Sequence, residues 1–353
     1  MSSQLPTLRW GIIATGFISS SFVEDIVFDR KDAKANHVIQ AVGSSSLDKG
    51  KTFVKTHLPG QSPKIYGSYE EVYVDPNVDI IYIGTPHAFH KENCLDAINA
   101  GKHVLCEKSF TLNAKEAKQV FEAAKAKGVF VMEAMWTRFF PLTQTLQSLL
   151  HEQKVIGDVR RVFSDFAFDQ KIPSLGPESR LKNPALGAGS LLDVGVYSLM
   201  WGLLGSDAGV GDKGQTLEIV AKQTLDGGID IASSAVLLYP NGQQAIVTCS
   251  SSLRTKPVFC TIQGTKGYVD IEGFAAVPES FTVNSSKDGS SKKYDFEKPG
   301  SGFYWEADAV AVDIAAGKVQ NDIMPWAETI RVLEIMDEIR RQGGAKFPQD
   351  KAA

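Results

Sequence analysis

The chain has 353 residues, 43% hydrophobic and 22% charged, with a formal net charge of −4. That length predicts two domains of about 150 residues each. The faintly acidic balance offers nothing to draw in nucleic acid or an anionic membrane. No run of about 18 apolar residues occurs, so no membrane-crossing helix is expected. The opening MSSQLPTLRW lacks the basic-then-apolar signal pattern, and the closing Asp350-Lys351-Ala352-Ala353 is not a retention or peroxisomal address. Cys94, Cys106, Cys249 and Cys260 are far apart, with no Cys-x-x-Cys, and read as reduced buried thiols of a cytoplasmic protein.

The first 135 or so residues alternate strand and helix. Strands are predicted at Leu8–Ala14, Val38–Gly43, Lys64–Tyr66, Asp79–Thr85, Val104–Cys106 and Val129–Glu133. Between them, Phe17–Val27, Leu47–His57, His87–Ala100 and Asn113–Lys127 carry helical spacing, and Gly101 and Gly128 are the expected C-terminal glycines. Asp79–Thr85 is apolar on both faces, as a central parallel strand must be. Repeated βα units mean a doubly wound parallel sheet, because a parallel crossover needs a helix.

After Trp136 the texture changes. A helix, Pro141–Gln153, leads to an alternating strand, Val159–Phe168, and Pro173–Gly189 is an irregular loop long enough to be functional. Leu191–Leu204 is helical. Strands follow near Leu217–Thr224, Ile229–Leu238, Gln243–Ser252, Val258–Gly264, Gly267–Ile271 and Phe281–Val283, with Ser285–Ser291 a polar turn. Helices at Phe303–Ala316 and Trp326–Arg341 close the chain. Strands in a run predict an α+β domain on a mostly antiparallel open sheet, so the division is 1–136 and 137–353.

Four stretches carry chemistry. Strand one ends Gly11-Ile-Ile-Ala14-Thr15-Gly16-Phe17-Ile18-Ser19, a dinucleotide fingerprint reduced to Gly16, with Ala14 and Ser19 at the other glycine positions. Its place between strand and amphipathic helix is the context that a pyrophosphate site requires, making Thr15, Gly16, Phe17 and Ile18 cofactor candidates. After strand two stand Ser44, Ser45, Ser46 and Lys49, where an NAD-binding chain usually places a carboxylate. Hydroxyls and a lysine accept a 2′-phosphate that a carboxylate would repel, so NADP is favoured over NAD. Thr85-Pro86-His87 is a strand-to-helix turn; His87 and His90 share a helix face, but without a further ligand nearby they read as packing or cofactor-adjacent residues, not zinc. Glu107 and Lys108 end a buried strand, at the edge where open α/β sheets bind ligands. Beyond the long loop, Asp193 and Tyr197 have i, i+4 spacing, with Gly195 permitting a close approach.

In order, Trp10–Gly16, Thr85–His87, Val104–Lys108, Met132–Pro141, Leu192–Tyr197, Gln263–Gly267 and Trp305–Asp308 resemble the glucose-fructose oxidoreductase/inositol dehydrogenase (Gfo/Idh/MocA) family over nearly the whole chain. The Met132–Pro141 stretch is similar to the dihydrodiol dehydrogenase and fungal NADP-dependent D-xylose 1-dehydrogenase branch. The resemblance implies a Rossmann domain, a second domain whose open sheet mediates homodimerisation, and a nicotinamide flanked by Lys108 and Tyr197. The family's Glu-Lys-Pro is Glu107-Lys108-Ser109 here, so the bond after Lys108 is either a non-proline cis bond or trans.

On this resemblance the reaction is hydride transfer between C1 of an aldose and NADP. A tyrosine of pKa about 10 is roughly one part in a thousand ionised at neutral pH. An ammonium about 4 Å away contributes roughly 4 kcal/mol at an effective dielectric near 20. Tyr197 is then the general base, Lys108 its activator, and Asp193 orients a sugar hydroxyl or Lys108. Glu107 orients Lys108. Trp136, Arg138 and Phe166 are expected to line the sugar pocket, with Arg180 and Asn183 joining from the loop; Trp136 and Arg138 are also cofactor candidates. Two alternatives use the same scaffold: oxidoreduction of a dihydrodiol, dicarbonyl or secondary metabolite, and NADP sensing by a non-catalytic regulator.

Overall fold

The computed structural model describes residues 5–352, which fall into two compact units. The first takes the chain through Thr111, then Lys115–Trp136 and Lys298–Trp326; the second takes Leu112–Ala114, Thr137–Glu297 and the chain from Ala327.

In the first unit β1 (Thr7–Ile13), α1 (Phe17–Ile26), β2 (Asn36–Gly43), α2 (Leu47–His57) and β3 (Lys64–Tyr66) follow in order. A single turn α3 (Glu70–Tyr73), too short for any periodicity to announce, precedes β4 (Ile80–Ile83), α4 (His87–Asn99), β5 (His103–Glu107), α5 (Ala114–Lys127) and β6 (Val131–Ala134). The sheet order is β3-β2-β1-β4-β5-β6, with every pairing parallel. Order reverses between β1 and β4, which is where such sheets open a crevice. All four residues of β4 are buried, and Phe22 of α1 stacks on Tyr82 with centroids 3.8 Å apart. The last strand begins at Val131, not Val129, because Val129 N–H returns to Ala124 O and extends the helix cap.

The sequence reading placed all of 137–353 in the second domain; Lys298–Trp326 belongs instead to the first unit. Charge explains it. Asp25 on α1 accepts the N–H groups of Ser301, Gly302 and Phe303 at 2.6–2.7 Å, capping the helix Phe303–Ala315. Further along that helix Asp308 binds Arg30 Nη2 at 2.6 Å and His37 Nε2 at 3.0 Å. Neither contact has a local sequence signal, since the partners are more than 270 residues apart.

The second unit opens with α6 (Pro141–Gln147), which loosens into a π turn at Ser148–Glu152 where one continuous helix was expected. β7 (Val159–Ala167) follows, then the long loop with 3₁₀ turns at Ile172–Ser174 and Pro184–Leu186. A π turn (Leu191–Gly195) runs into α7 (Val196–Ser206). The remaining strands are β8 (Glu218–Asp226), β9 (Ile229–Leu238), β10 (Gln244–Ser250), β11 (Val258–Gly264), β12 (Gly267–Phe274), β13 (Val277–Ser285) and β14 (Ser291–Asp295). They form one sheet in the order β14-β13-β12-β11-β7-β10-β9-β8, antiparallel except for β7 against β10. β14 lies beyond the expected elements: its sequence Ser-Lys-Lys-Tyr-Asp is polar, and its one apolar anchor is Tyr294 stacked on Phe281 at 4.7 Å. The terminal helix, Trp326–Gly343, completes the chain's regular structure apart from a short 3₁₀ turn.

Among the described residues one helical stretch, Pro184–Ser206, is long and apolar enough to cross a membrane, contrary to the expectation from the sequence. Its most apolar window is 94% buried, as a core helix is. Gly202 lets it lie close on the sheet: a Cβ there would meet Val247 Cγ1 at 2.6 Å.

Candidate functional site

At the end of β1, Ala14 holds φ = 70°, the left-handed backbone that a glycine would adopt freely. Gly16 then caps α1, and a Cβ built on it would meet nothing within 4 Å. The helix N-terminus beyond carries no acidic side chain in its first turn, so its N–H groups present an uncontested positive end. Thr15 and Ser44 hydroxyls lie 3.2 Å apart, joining the ends of β1 and β2.

A cleft of about 640 Å³ starts here, lined by Thr15, Gly16, Ser44, Ser45, Lys49 and residues further along α2. Lys49 Nζ donates to Ser45 Oγ at 3.1 Å, and Ser46 caps α2 by accepting Lys49 N–H at 3.3 Å. Ser46 is therefore a cap, while Ser45 and Lys49 present the polar wall. Asp48 also lines the cleft, with its carboxylate toward Lys51 Nζ at 3.5 Å. Thr52, Phe53, Thr56 and His57 complete the α2 side. They escaped the sequence reading, although 49, 52, 53 and 56 mark one helical face. Phe17 is 85% exposed and Ile18 partly so, both on the first turn of α1.

The β4 and β5 ends carry the second group. Thr85 Oγ1 donates to Asn93 Oδ1 at 2.9 Å, and Pro86 leads into α4. His90 is wholly buried; its Nε2 faces Thr85 O at 2.7 Å and its Nδ1 faces Ser109 O at 3.0 Å and Phe110 O at 3.2 Å. Burial holds its pKa below the ordinary histidine value. Both ring nitrogens are committed to backbone, and no group of three metal-ligating side chains exists among the described residues. His87 packs edge-on to it, 5.6 Å away. Glu107 is buried and accepts the Tyr82 hydroxyl at 2.6 Å. The Lys108–Ser109 bond is cis, which answers the question that the serine raised. Trp136, in this same unit, stacks on Phe303 at 3.8 Å, so one ring face is already covered.

In the second unit, Asp193 lies in the π turn and Tyr197 in the first turn of α7. Phe166 from β7 meets the Tyr197 ring edge-to-face at 5.8 Å and Phe274 at 6.2 Å. Asp193 accepts Arg180 Nη1 at 3.0 Å and Gln170 Nε2; Gln170 was not anticipated, since nothing in its sequence marks it. Three more residues are placed as follows. Arg138 is buried in an ion pair with Glu328, which also accepts Gly211 N–H at 2.7 Å. Asn183 accepts Ala185 N–H at 2.9 Å, capping the 3₁₀ turn, and lines a cleft on the long loop with Pro173 and Lys182. The close approach at Gly195 is made by Cys249, whose Sγ a Cβ would meet at 2.7 Å. All four cysteines are free and buried.

A parallel sheet in this strand order, with a phosphate-ready helix terminus at its switch point, defines a dinucleotide-binding protein of the Rossmann type. The oxidoreductase family with an NAD-binding Rossmann fold matches residues 8–135, and its C-terminal domain matches 143–270. The chain is 35% identical to the D-xylose 1-dehydrogenase (NADP(+)) of Hypocrea jecorina, over 97% of this chain and 94% of that protein. It is 34% identical to the trans-1,2-dihydrobenzene-1,2-diol dehydrogenase of Sus scrofa, over 98% and 99%. In fold it is similar to a 3-ketoreductase from Actinomadura kijaniata, with a TM-score of 0.79 at 20% identity, over 96% and 98%. The chain belongs to the GFO/IDH/MocA family of oxidoreductases, as its motifs had suggested.

Proposed function

We propose that this chain is an NADP-dependent dehydrogenase oxidising the C1 hydroxyl of an aldose resembling D-xylose to the lactone. One observation carries the reading: the match over 97% of the chain to an enzyme named for D-xylose and NADP. The cleft supports the cofactor, since Ser44, Ser45 and Lys49 suit a 2′-phosphate, while Gly16 and the α1 terminus suit a pyrophosphate. When bound, NADP supplies the hydride acceptor.

The protein's own residues handle the proton and the sugar. Tyr197 takes the proton from the C1 hydroxyl and returns it in the reverse direction. Lys108 donates to that oxygen and stabilises its developing negative charge. Glu107 orients Lys108, and Asp193 accepts a hydroxyl of the sugar. Phe166 supplies an apolar wall beside Tyr197, and Trp136, held by its stack on Phe303, borders the sugar. Thr85, Pro86, His87 and His90 support the cofactor from the end of β4.

A second reading, oxidation of a cyclic diol by the same residues, is favoured by the 34% match to the pig dihydrodiol enzyme. A panel of aldoses and trans-dihydrodiols, followed by NADPH absorbance with NADP and NAD, decides between them. Tyr197→Phe should lower kcat by orders of magnitude while NADP affinity stays near normal. Inactivity on both classes, with NADP still bound tightly, would replace both readings with a regulator.

We also propose that the protein is a cytoplasmic homodimer joined through its second sheet. Four free buried thiols suit a reducing compartment. Val220, Val236, Ile246 and Phe163 form a cross-strand row, with Val220 54% and Phe163 39% exposed. Light scattering of wild type and Phe163→Lys tests the assembly.

A further inference from the structure

The carboxylate of Asp193 is gripped by two donors that lie outside its own helix. Arg180 Nη1 reaches Oδ1 at 3.0 Å, and Gln170 Nε2 donates to Oδ2. The donors stand on different supports. Gln170 continues out of β7, and its backbone N–H bonds Ser251 O at 2.9 Å, so the sheet carries it. Arg180 stands on the long loop with its side chain 53% exposed, against 11% for Asp193. That loop has its own apolar footing: Ile172 and Ala188 pack with Ile229 of β9, and Leu175, Leu181 and Ile231 close around them.

A carboxylate that takes one fixed donor on each oxygen can no longer turn about its last bond. Its lone pairs are then held in set directions. We propose that Gln170 and Arg180 are positioning residues that aim Asp193 at a substrate hydroxyl, Arg180 acting through Asp193 and not on the substrate itself. The inference rests on the reading of Asp193 as the sugar-orienting residue. It reassigns Arg180, whose sequence position alone suggested direct contact with the sugar. It also gives the long loop a function: its apolar footing holds the guanidinium in place, and the sheet holds the amide.

The test is a mutant cycle. Gln170→Leu and Arg180→Met remove each donor at similar volume. Each should lower kcat/KM for the best aldose or diol by about tenfold or more, leaving the NADP dissociation constant, read by NADPH fluorescence, within about twofold. Arg180→Lys should recover part of the loss. In an Asp193→Asn background neither substitution should cost anything further, because the group they act through is already disabled. Losses that multiply in that background would assign Arg180 an independent contact and overturn the proposal. A crystal structure of the Gln170→Leu/Arg180→Met variant gives a readout that needs no turnover. A rotated or doubly placed Asp193 carboxylate supports the proposal; an unmoved one refutes it. A wild-type enzyme silent on the whole substrate panel would overturn the proposed reaction, and the crystallographic arm would still decide the clamp.

Discussion

Tyr82 donates its hydroxyl to Glu107 Oε1 across 2.6 Å, tying β4 to β5 inside the first sheet, one residue before Lys108. Burial, followed by the charge of Glu107, drives the Tyr82 phenol far above its ordinary pKa, so it remains a donor. Tyr82→Phe removes a donor from a buried carboxylate and should lower stability by about 1–3 kcal/mol. If Glu107 orients Lys108, kcat should fall as well in the fraction that remains folded. Urea unfolding together with kcat at low temperature measures both. Wild-type stability in this variant would show that Glu107 is adequately held by other groups.

Cofactor preference should turn on Lys49. Its exposed ammonium touches Ser45 Oγ at the wall of the cleft. Lys49→Glu puts a carboxylate where a 2′-phosphate is proposed to sit. NADP affinity should drop by roughly 10- to 100-fold, while NAD affinity changes by less than about threefold. Added salt should narrow the wild-type preference, because the group is exposed and screened. Equal losses for the two cofactors would place the 2′-phosphate elsewhere.

The βα half was readable because each of its signals is local. Buried apolar runs gave β4 and β5, helical spacing gave α1 and α2, and Gly101 and Gly128 closed their helices with positive φ. Where evidence is carried by distant partners, residues alone mislead. Arg138 sits in a stretch similar to one branch, and the residues around it give no sign of its partner Glu328, 190 positions away. Gln170 is an ordinary polar residue until the long loop brings Asp193 beside it. Lys298–Trp326 offered a plain amphipathic helix, and its allegiance was decided by Asp25, Arg30 and His37. The cis bond at Lys108–Ser109 likewise had only a family expectation behind it.

The Arg138–Glu328 pair should make the second unit acid-sensitive. Burial alone would raise the Glu328 pKa, but the Arg138 charge, the Gly211 N–H and Arg331 outweigh it, leaving the group below its ordinary value of 4.5. A depressed folded pKa means a contribution fully present above the unfolded value and lost as pH falls through the folded one. Thermal melts should therefore lose Tm below about pH 4.5 in wild type and show a smaller loss in Glu328→Gln. At neutral pH Arg138→Met should cost about 3–5 kcal/mol, since it strands a buried carboxylate. NADP affinity of the folded variant should stay unchanged, which separates a structural ion pair from a cofactor contact.

The returning segment makes a prediction about folding that a cut at Trp136 would miss. Asp308 answers Arg30 at 2.6 Å, His37 at 3.0 Å and Lys34 N–H at 3.1 Å, all within the first unit. Phe303 covers Trp136 and approaches Phe22, while Asp25 holds three N–H groups at that helix's start. A fragment ending at residue 136 strands Asp25 and Arg30 without these partners and uncovers the faces of Trp136 and Phe22. It should fail to give a cooperative melt or protected amides by hydrogen exchange. Joining residues 298–326 to it through a flexible linker should restore both, because the missing interactions are supplied by that segment alone. Asp308→Asn in the full chain should lose about 3–5 kcal/mol, as expected when a buried ion pair loses one partner. If the short fragment melts cooperatively without the return, the βα units are sufficient by themselves, and the Asp25 and Asp308 contacts only reinforce a domain that is already complete.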